Sequence, residues 1–383
     1  MKRRTVLLGT TVAVGGATGL AGSLWHQAFA DPAQPGPSPY GDLLEADANG
    51  IRLPEGFTSR AIGESSKDVA GYTWHDAPDG GACFETEDGW IYVSNSEIEN
   101  NEGGASAVRF TADGEIHSAY RILGGTERNC AGGATPWGTW LSCEETERGE
   151  VYETDPTGEK EAVVHPAMGR FQHEAAACDP DRKVVYLTED ESDGCFYRFT
   201  PDNWEDLSAG RLDVLTESDG TLAWEEVPDP LAEDEETRFQ VSSAKKFDGG
   251  EGCWYTNGIC YFTTKGSNTV WAFNAADDTI AVAYDDDEVD GDAPLHGVDN
   301  ITGARSGDLF VAEDGGDMEI NIITPDEVVA PFLRIEGHDE SEICGPAFSP
   351  DGKRFYFSSQ RGSGGSDSDG ITYEVTGPFR DSA

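Results

Sequence analysis

From residue 53 onward the chain alternates short runs of aromatic and β-branched residues with Gly-, Asp- and Pro-rich turns, and no long amphipathic helical stretch interrupts them. Six pairs of runs align with one another: 90–97 with 106–115, 139–145 with 150–155, 184–191 with 195–200, 259–265 with 269–274, 308–314 with 319–324, and 354–361 with 371–376. Each pair reads as an apolar-alternating strand, an acid or polar turn and a second strand. Ahead of each lies a further turn, such as Asp88-Gly89, Trp137-Gly138, Asn257-Gly258 or Asp351-Gly352, that would join it to an earlier strand. That earlier strand opens, unit by unit, with His75-Asp76, Cys130, His173-Glu174, Glu251, Asp299-Asn300 and Glu342.

Units with three or four strands each match the blades of a β-propeller, whose first strands line a central channel. The expected fold is therefore all-β, a six-bladed β-propeller, with the opening residues converging on its axis. Carboxylates gathered there could not all stay ionised without a cation, so a metal site on the axis is expected. Oxygen ligands favour Ca²⁺, and a thiolate among them favours a transition metal such as iron. Metals so held polarise a phosphoryl or carbonyl oxygen or activate water, and hydrolysis is the natural reaction class. No G-x-S-x-G elbow, Rossmann fingerprint or Walker loop offers another chemistry.

The remaining segments change the picture at the ends. Residues 1–30 carry Lys2-Arg3-Arg4, a Gly/Ala-rich apolar stretch and Ala28-Phe29-Ala30, the pattern of a twin-arginine signal peptide cleaved after Ala30. Residues 31–50 begin as a Pro-rich, extended linker, and 51–383 form the single propeller domain. The stretch 201–246 would supply a blade's outer strands plus an excursion, and 362–370 reads as flexible. No apolar run outside the signal is long enough to span a bilayer, so no membrane span is expected after its removal. The mature protein is expected outside the cytoplasm: extracellular, periplasmic or at the cell surface.

Loss of the three signal cations takes the formal charge from −47 to −50. Nucleic acid and anionic membranes are poor partners for such a surface, which reads mainly as adaptation to high salt. Eight cysteines without a C-x-x-C spacing exclude a zinc ribbon and leave disulfide pairing open, as the sequence leaves the oligomeric state.

Several motifs carry a family resemblance. Asn-Cys-Ala-Gly-Gly-x-Thr-Pro-Trp-Gly-Thr-Trp-Leu-Ser-Cys-Glu-Glu (129–145), Gly-Arg-Phe-Gln-His-Glu-Ala (169–175), Tyr-Leu-Thr-Glu-Asp (186–190), Glu-Gly-Cys-Trp-Tyr (251–255), Val-Asp-Asn-Ile (298–301) and Glu-Ile-Cys-Gly-Pro-Ala-Phe-Ser-Pro-Asp-Gly (342–352) resemble, in this order, the PhoX-type alkaline phosphatase family. The resemblance spans about residues 52–362. It implies a secreted metal-dependent phosphoester hydrolase with an iron (Fe³⁺) and calcium cluster, acting on a small phosphoester. Cys130 and Glu174 resemble its iron ligands and Glu251 the glutamate joining iron and calcium, which makes these three the candidate catalytic residues. Glu144, Asp299 and Glu313 resemble further metal or supporting ligands. One departure stands out: the family's glutamate follows an Arg-Pro pair whose arginine holds phosphate, and here Gly249-Gly250 precedes Glu251. Arg361, Lys265 or Arg170 are the candidate replacements. Two other readings remain open, a non-catalytic metal-stabilised binding propeller and a calcium-dependent lactonase-like hydrolase.

Overall fold

The computed structural model describes residues 31–381; the signal peptide assigned to 1–30 lies outside the described residues. Six sheets form the blades. Blade 1 holds Pro78–Thr86, Gly89–Ser96, Gly103–Thr111 and Ile116–Thr126. Blade 2 holds Asn129–Ala134, Trp140–Glu144, Val151–Thr154 and Val163–Val164. Blade 3 runs through His173–Asp179, Val184–Glu189 and Phe196–Asn203 to Asp206–Ser218 and a fifth strand, Thr221–Glu226. Blade 4 is Gly250–Thr256, Ile259–Thr264, Thr269–Asn274 and Thr279–Asp285. Blade 5 is Val298–Gly303, Leu309–Glu313, Glu319–Ile323 and Val328–Ile335. Blade 6 takes Ile343–Phe348, Arg354–Ser359 and Ile371–Thr376 from the C-terminal end, and its outer strand, Thr58–Glu64, from the N-terminal end. That antiparallel pairing, Tyr373 opposite Ala61, closes the ring without a covalent bond.

Strands expected to alternate are instead apolar on both sides. Ile91 and Val93 pack toward Trp140 of blade 2, while Trp90 and Tyr92 pack toward Tyr356 of blade 6. Val185 and Leu187 join blade 2, and Tyr186 joins Phe262 and Phe273 of blade 4. Each blade is thus covered on both faces, as buried parallel sheets are, and the near-continuous Val/Ile/Phe runs follow from that. Six hydrophobic clusters result, one at each blade–blade seam.

The Pro-rich stretch is docked rather than free. Gln34–Pro35 pairs in parallel with Val328–Val329, and Tyr40 sits edge-on to Phe57 and Phe332 with its ring centroid 5.5 and 5.3 Å from theirs. Residues 362–370 are also ordered by contacts: the Ala77 amide donates to the Asp367 carbonyl at 2.8 Å and the Ser65 amide to that of Gly370 at 2.8 Å. No helix among the described residues is long and apolar enough to cross a membrane.

At the axis the inner strands approach until side chains no longer fit between them. A Cβ on Gly80 would lie 2.5 Å from the Ala131 Cα of blade 2, and one on Gly252 would lie 2.7 Å from the Asn300 Cα of blade 5. Every inner strand also breaks register once, at Pro78/Gly81, Asn129/Gly132, His173/Ala176, Gly250/Cys253, Val298/Ile301 and Cys344/Ala347. Such bulges re-aim one side chain out of the ladder, and here they aim it at the axis.

Candidate metal centre

The residue following the first bulge position is Asp79 in blade 1, Cys130 in blade 2, Glu174 in blade 3, Glu251 in blade 4 and Asp299 in blade 5. These five form a lower tier. An upper tier comes from the residue just past each second strand: Glu97, Glu145, Asp190, Lys265, Asp314 and Gln360. Ligand atoms lie within 4.8 Å of one another in three overlapping groups: Asp79, Glu97 and Cys130; Cys130, Glu145 and Glu174; Glu174, Glu251 and Asp299. The groups share members, so they form one continuous arc around the axis.

The four carboxylates of the lower tier are shut off from solvent, with Glu174 at 0%, Asp79 at 1%, Glu251 at 2% and Asp299 at 5% exposure, while Cys130 is partly exposed. The upper tier is open only in part: the Lys265 side chain is 36% and that of Asp314 28% exposed, whereas Glu145 and Gln360 are buried. Burial, reinforced by neighbouring carboxylates, pushes Glu174 and Asp299 well above the usual carboxylate range and Asp79 up to about 7. Burial likewise raises Glu145 to about 10 and, against the pull of Lys265, Glu251 to about 8. The Cys130 thiol is raised by burial and by Asp79 and Glu174, and it donates to Glu174 Oε1 at 3.2 Å.

Three cations face this acid. Arg128 bridges Glu97 at 2.9 Å and Glu145 at 2.7 Å. Lys265 Nζ lies 2.9 Å from Glu251 and 3.2 Å from Asp314, and these carboxylates hold its ammonium charged against the cost of burial. Arg361 lies 3.2 Å from Glu342. Gln360 donates to Asp79 at 2.6 Å and to Glu97 at 2.7 Å. One carboxylate oxygen, Glu174 Oε2, is fully buried with no hydrogen-bond partner among the described residues. An ionised oxygen left so is costly. A bound cation removes the cost, and a thiol among carboxylates suits one borderline and one hard ion.

Of the six residues read as metal ligands, the fold brings four together: Cys130, Glu174, Glu251 and Asp299. The other two miss by a single residue. Glu144 turns away from the axis and accepts the Glu127 amide at 2.9 Å and the Glu150 amide at 3.2 Å; Glu145 takes the axial place. Glu313 likewise accepts the amides of His296 and Glu319, each at 3.0 Å, while Asp314 faces Lys265. Successive side chains of a strand point to opposite faces, so adjacent acids cannot both reach the channel. Arg361 stands beside the upper tier through Glu342 and Gln360, whereas Arg170 pairs with Glu150 at 2.8 Å away from the arc.

His75 and His173 are buried structural residues. His75 bonds Ser94 Oγ at 3.2 Å, and burial lowers it to about 3. His173 bonds the Gly169 carbonyl at 3.0 Å, packs with its ring tilted and centred 3.6 Å from that of Phe171, and is lowered by burial to about 4. Asp79, Glu97, Arg128 and Gln360 were not singled out in the sequence. Asp79-Gly80-Gly81 was legible as an acid followed by small residues, the same order as Cys130-Ala131-Gly132 and Glu251-Gly252.

The family described as alkaline phosphatase PhoX matches residues 85–276. The structure of Pseudomonas fluorescens PhoX, in complex with the transition-state analogue vanadate, superposes with a TM-score of 0.70 at 18% identity, covering 88% of this chain and 97% of that one. A Bacteroides thetaiotaomicron protein of unknown function superposes with a TM-score of 0.52 at 8% identity, covering 84% of this chain and 76% of that one. No curated protein sequence matches this chain. The two superpositions speak to the fold, and the family match speaks to descent.

Proposed function

Because the chain belongs to the PhoX alkaline phosphatase family, we propose that it is a metal-dependent phosphoester hydrolase exported by the twin-arginine route to act outside the cytoplasm. The observation that carries the reading is the buried arc from Asp79 to Asp299, which holds more acid than its cations neutralise and leaves Glu174 Oε2 without a partner among the described residues. Cys130, Glu145 and Glu174 would hold iron as Fe³⁺. Glu174, Glu251 and Asp299, with Asp79 and Glu97 across the channel, offer the oxygen set that suits Ca²⁺. Metals bound there supply charge stabilisation to a phosphoryl group in flight and a nucleophilic oxygen at neutral pH.

The chain's own residues supply position. Lys265 takes over the task of the missing Arg-Pro arginine: it comes from blade 4, as Glu251 does, and its Nζ reaches that glutamate from the open tier. Arg128 approaches from blade 2 and Arg361 from blade 6, so a small phosphate ester entering from the upper face meets positive charge from three sides. Gln360 keeps Asp79 and Glu97 oriented, and the inner strands keep bulk water from the lower tier.

The test is release of phosphate from an aryl phosphate by the purified protein, with elemental analysis. Iron plus calcium, activity lost to a chelator, and a visible thiolate-to-iron band that disappears in Cys130→Ser are expected. Metal-loaded protein that turns over no phosphoester overturns the reading and leaves a metal-stabilised binding propeller.

A further inference from the structure

The channel has a second mouth. Past the bulges the inner strands carry Gly, Ala and Cys in place of acids, and a cavity of about 530 Å³ opens on the face opposite the carboxylates. Cys253 lines its wall, on the inner strand of blade 4. Cys260 sits on the next strand across the tight Asn257-Gly258 hairpin, whose two residues both have positive φ, 49° and 88°. The register puts Cys253 opposite Phe262 and Tyr255 opposite Cys260, so the two cysteines are diagonal neighbours on one face. Their sulfurs are 3.3 Å apart. No other two of the eight thiols make such a contact among the described residues.

We propose that Cys253 and Cys260 are a disulfide-forming pair, oxidised by a low-molecular-weight disulfide that reaches Cys253 through the open channel mouth. Cys253 is 7% exposed at the cavity wall and Cys260 is wholly buried behind it. Cys253 lines the cavity and Cys260 does not, so Cys253 is the sulfur that a reagent in the channel reaches first and the one that opens the exchange. Its thiolate attacks one sulfur of the reagent, forms a mixed disulfide and expels one thiolate. The Cys260 sulfur then attacks the Cys253 sulfur and expels the second. Two electrons pass from the protein to the reagent, and the two protein protons end on the two thiols released. Cys253 lies two residues beyond Glu251 on the same strand, so oxidation staples the strand that carries the axial glutamate to its neighbour.

The experiment uses the folded full chain and oxidised glutathione, followed by unfolding in an alkylating agent and peptide mass mapping. The expected result is a peptide spanning 253 and 260 that is lighter by two hydrogens and carries neither alkyl group nor glutathione, converted back by reductant. In Cys260→Ser the exchange should stop at the mixed disulfide on Cys253; in Cys253→Ser residue 260 should stay a thiol. A 253–260 peptide alkylated at both sulfurs after treatment, or a bridge from either cysteine to Cys143 or Cys178, overturns the proposal. The wild-type map decides this without reference to whether either variant folds.

Discussion

Blades 1 to 5 and blade 6 share one backbone plan and differ in what they present to the axis. In the first five the bulge delivers an anionic ligand or a thiol. In blade 6 the corresponding residue is Gly345, with φ +64° and space so limited that a Cβ would lie 2.6 Å from the Asp79 carbonyl oxygen. Its amide donates to Asn300 Oδ1 at 2.7 Å, and the neighbouring Cys344 thiol donates to the Pro78 carbonyl at 3.1 Å. At the bulge blade 6 therefore offers a backbone donor where four of the other blades offer a carboxylate and blade 2 a thiol; in the upper tier Gln360 also donates, as Lys265 of blade 4 does. The repeat sets where a side chain arrives; its identity sets what the site can hold.

The largest effect should come from the ligand side of this contrast. Glu174→Ala, which removes the carboxylate shared by two of the ligand groups, should lower metal affinity by at least roughly 100-fold and abolish phosphatase activity, because even residues that only support a metal's ligands cost 10–100-fold when lost. Bound metal per chain checks it, and full retention would mean that the arc is not the metal centre. On the blade 6 side, Gly345→Ala should destabilise the fold by more than ~1–2 kcal/mol, since the left-handed backbone disfavours a Cβ before any overlap is counted. Chemical denaturation measures it, and an unchanged midpoint would show that the sixth position is merely vacant. Gln360→Leu should weaken metal binding by about tenfold while leaving the melting temperature nearly unchanged, as expected of a residue that orients Asp79 and Glu97.

Outside the ring the acids behave differently, and that sharpens the comparison. With a formal charge of −47, the protein should melt at higher temperature as salt rises and the screening length falls from about 10 Å at 0.1 M to about 3 Å at 1 M. A melting temperature indifferent to salt would contradict adaptation to high salt. Glu153, in blade 2, is the counterexample to the axial acids. Burial alone would raise it, but hydrogen bonds from His165 at 2.8 Å, Thr139 at 2.6 Å and Trp137 at 2.7 Å bring it down to about 2. Its stabilisation is therefore complete above the ordinary glutamate range and is lost as pH falls from about 4.5 toward 2. Glu153→Gln should flatten the fall in stability across that window, the smallest of these effects.

Read alone, the sequence determined the number of blades and four of the side chains that line the axis. Turn residues recur at each unit, the Val/Ile/Phe runs mark the strands, and Cys130, Glu174, Glu251 and Asp299 open the inner strands they were expected to open. What it left undecided was parity. Glu144 and Glu145, or Glu313 and Asp314, are equivalent as letters, and only the pleat chooses which one enters the channel. The bulge is equally silent, which is why Asp79 holds the place expected for His75-Asp76. Arg128 and Gln360 reach the arc from loops that flank the strands of different blades, and the Cys253–Cys260 contact depends on strand register. Those relations join residues far apart in the chain or offset by one position, so they exist only once the six sheets have closed around the axis.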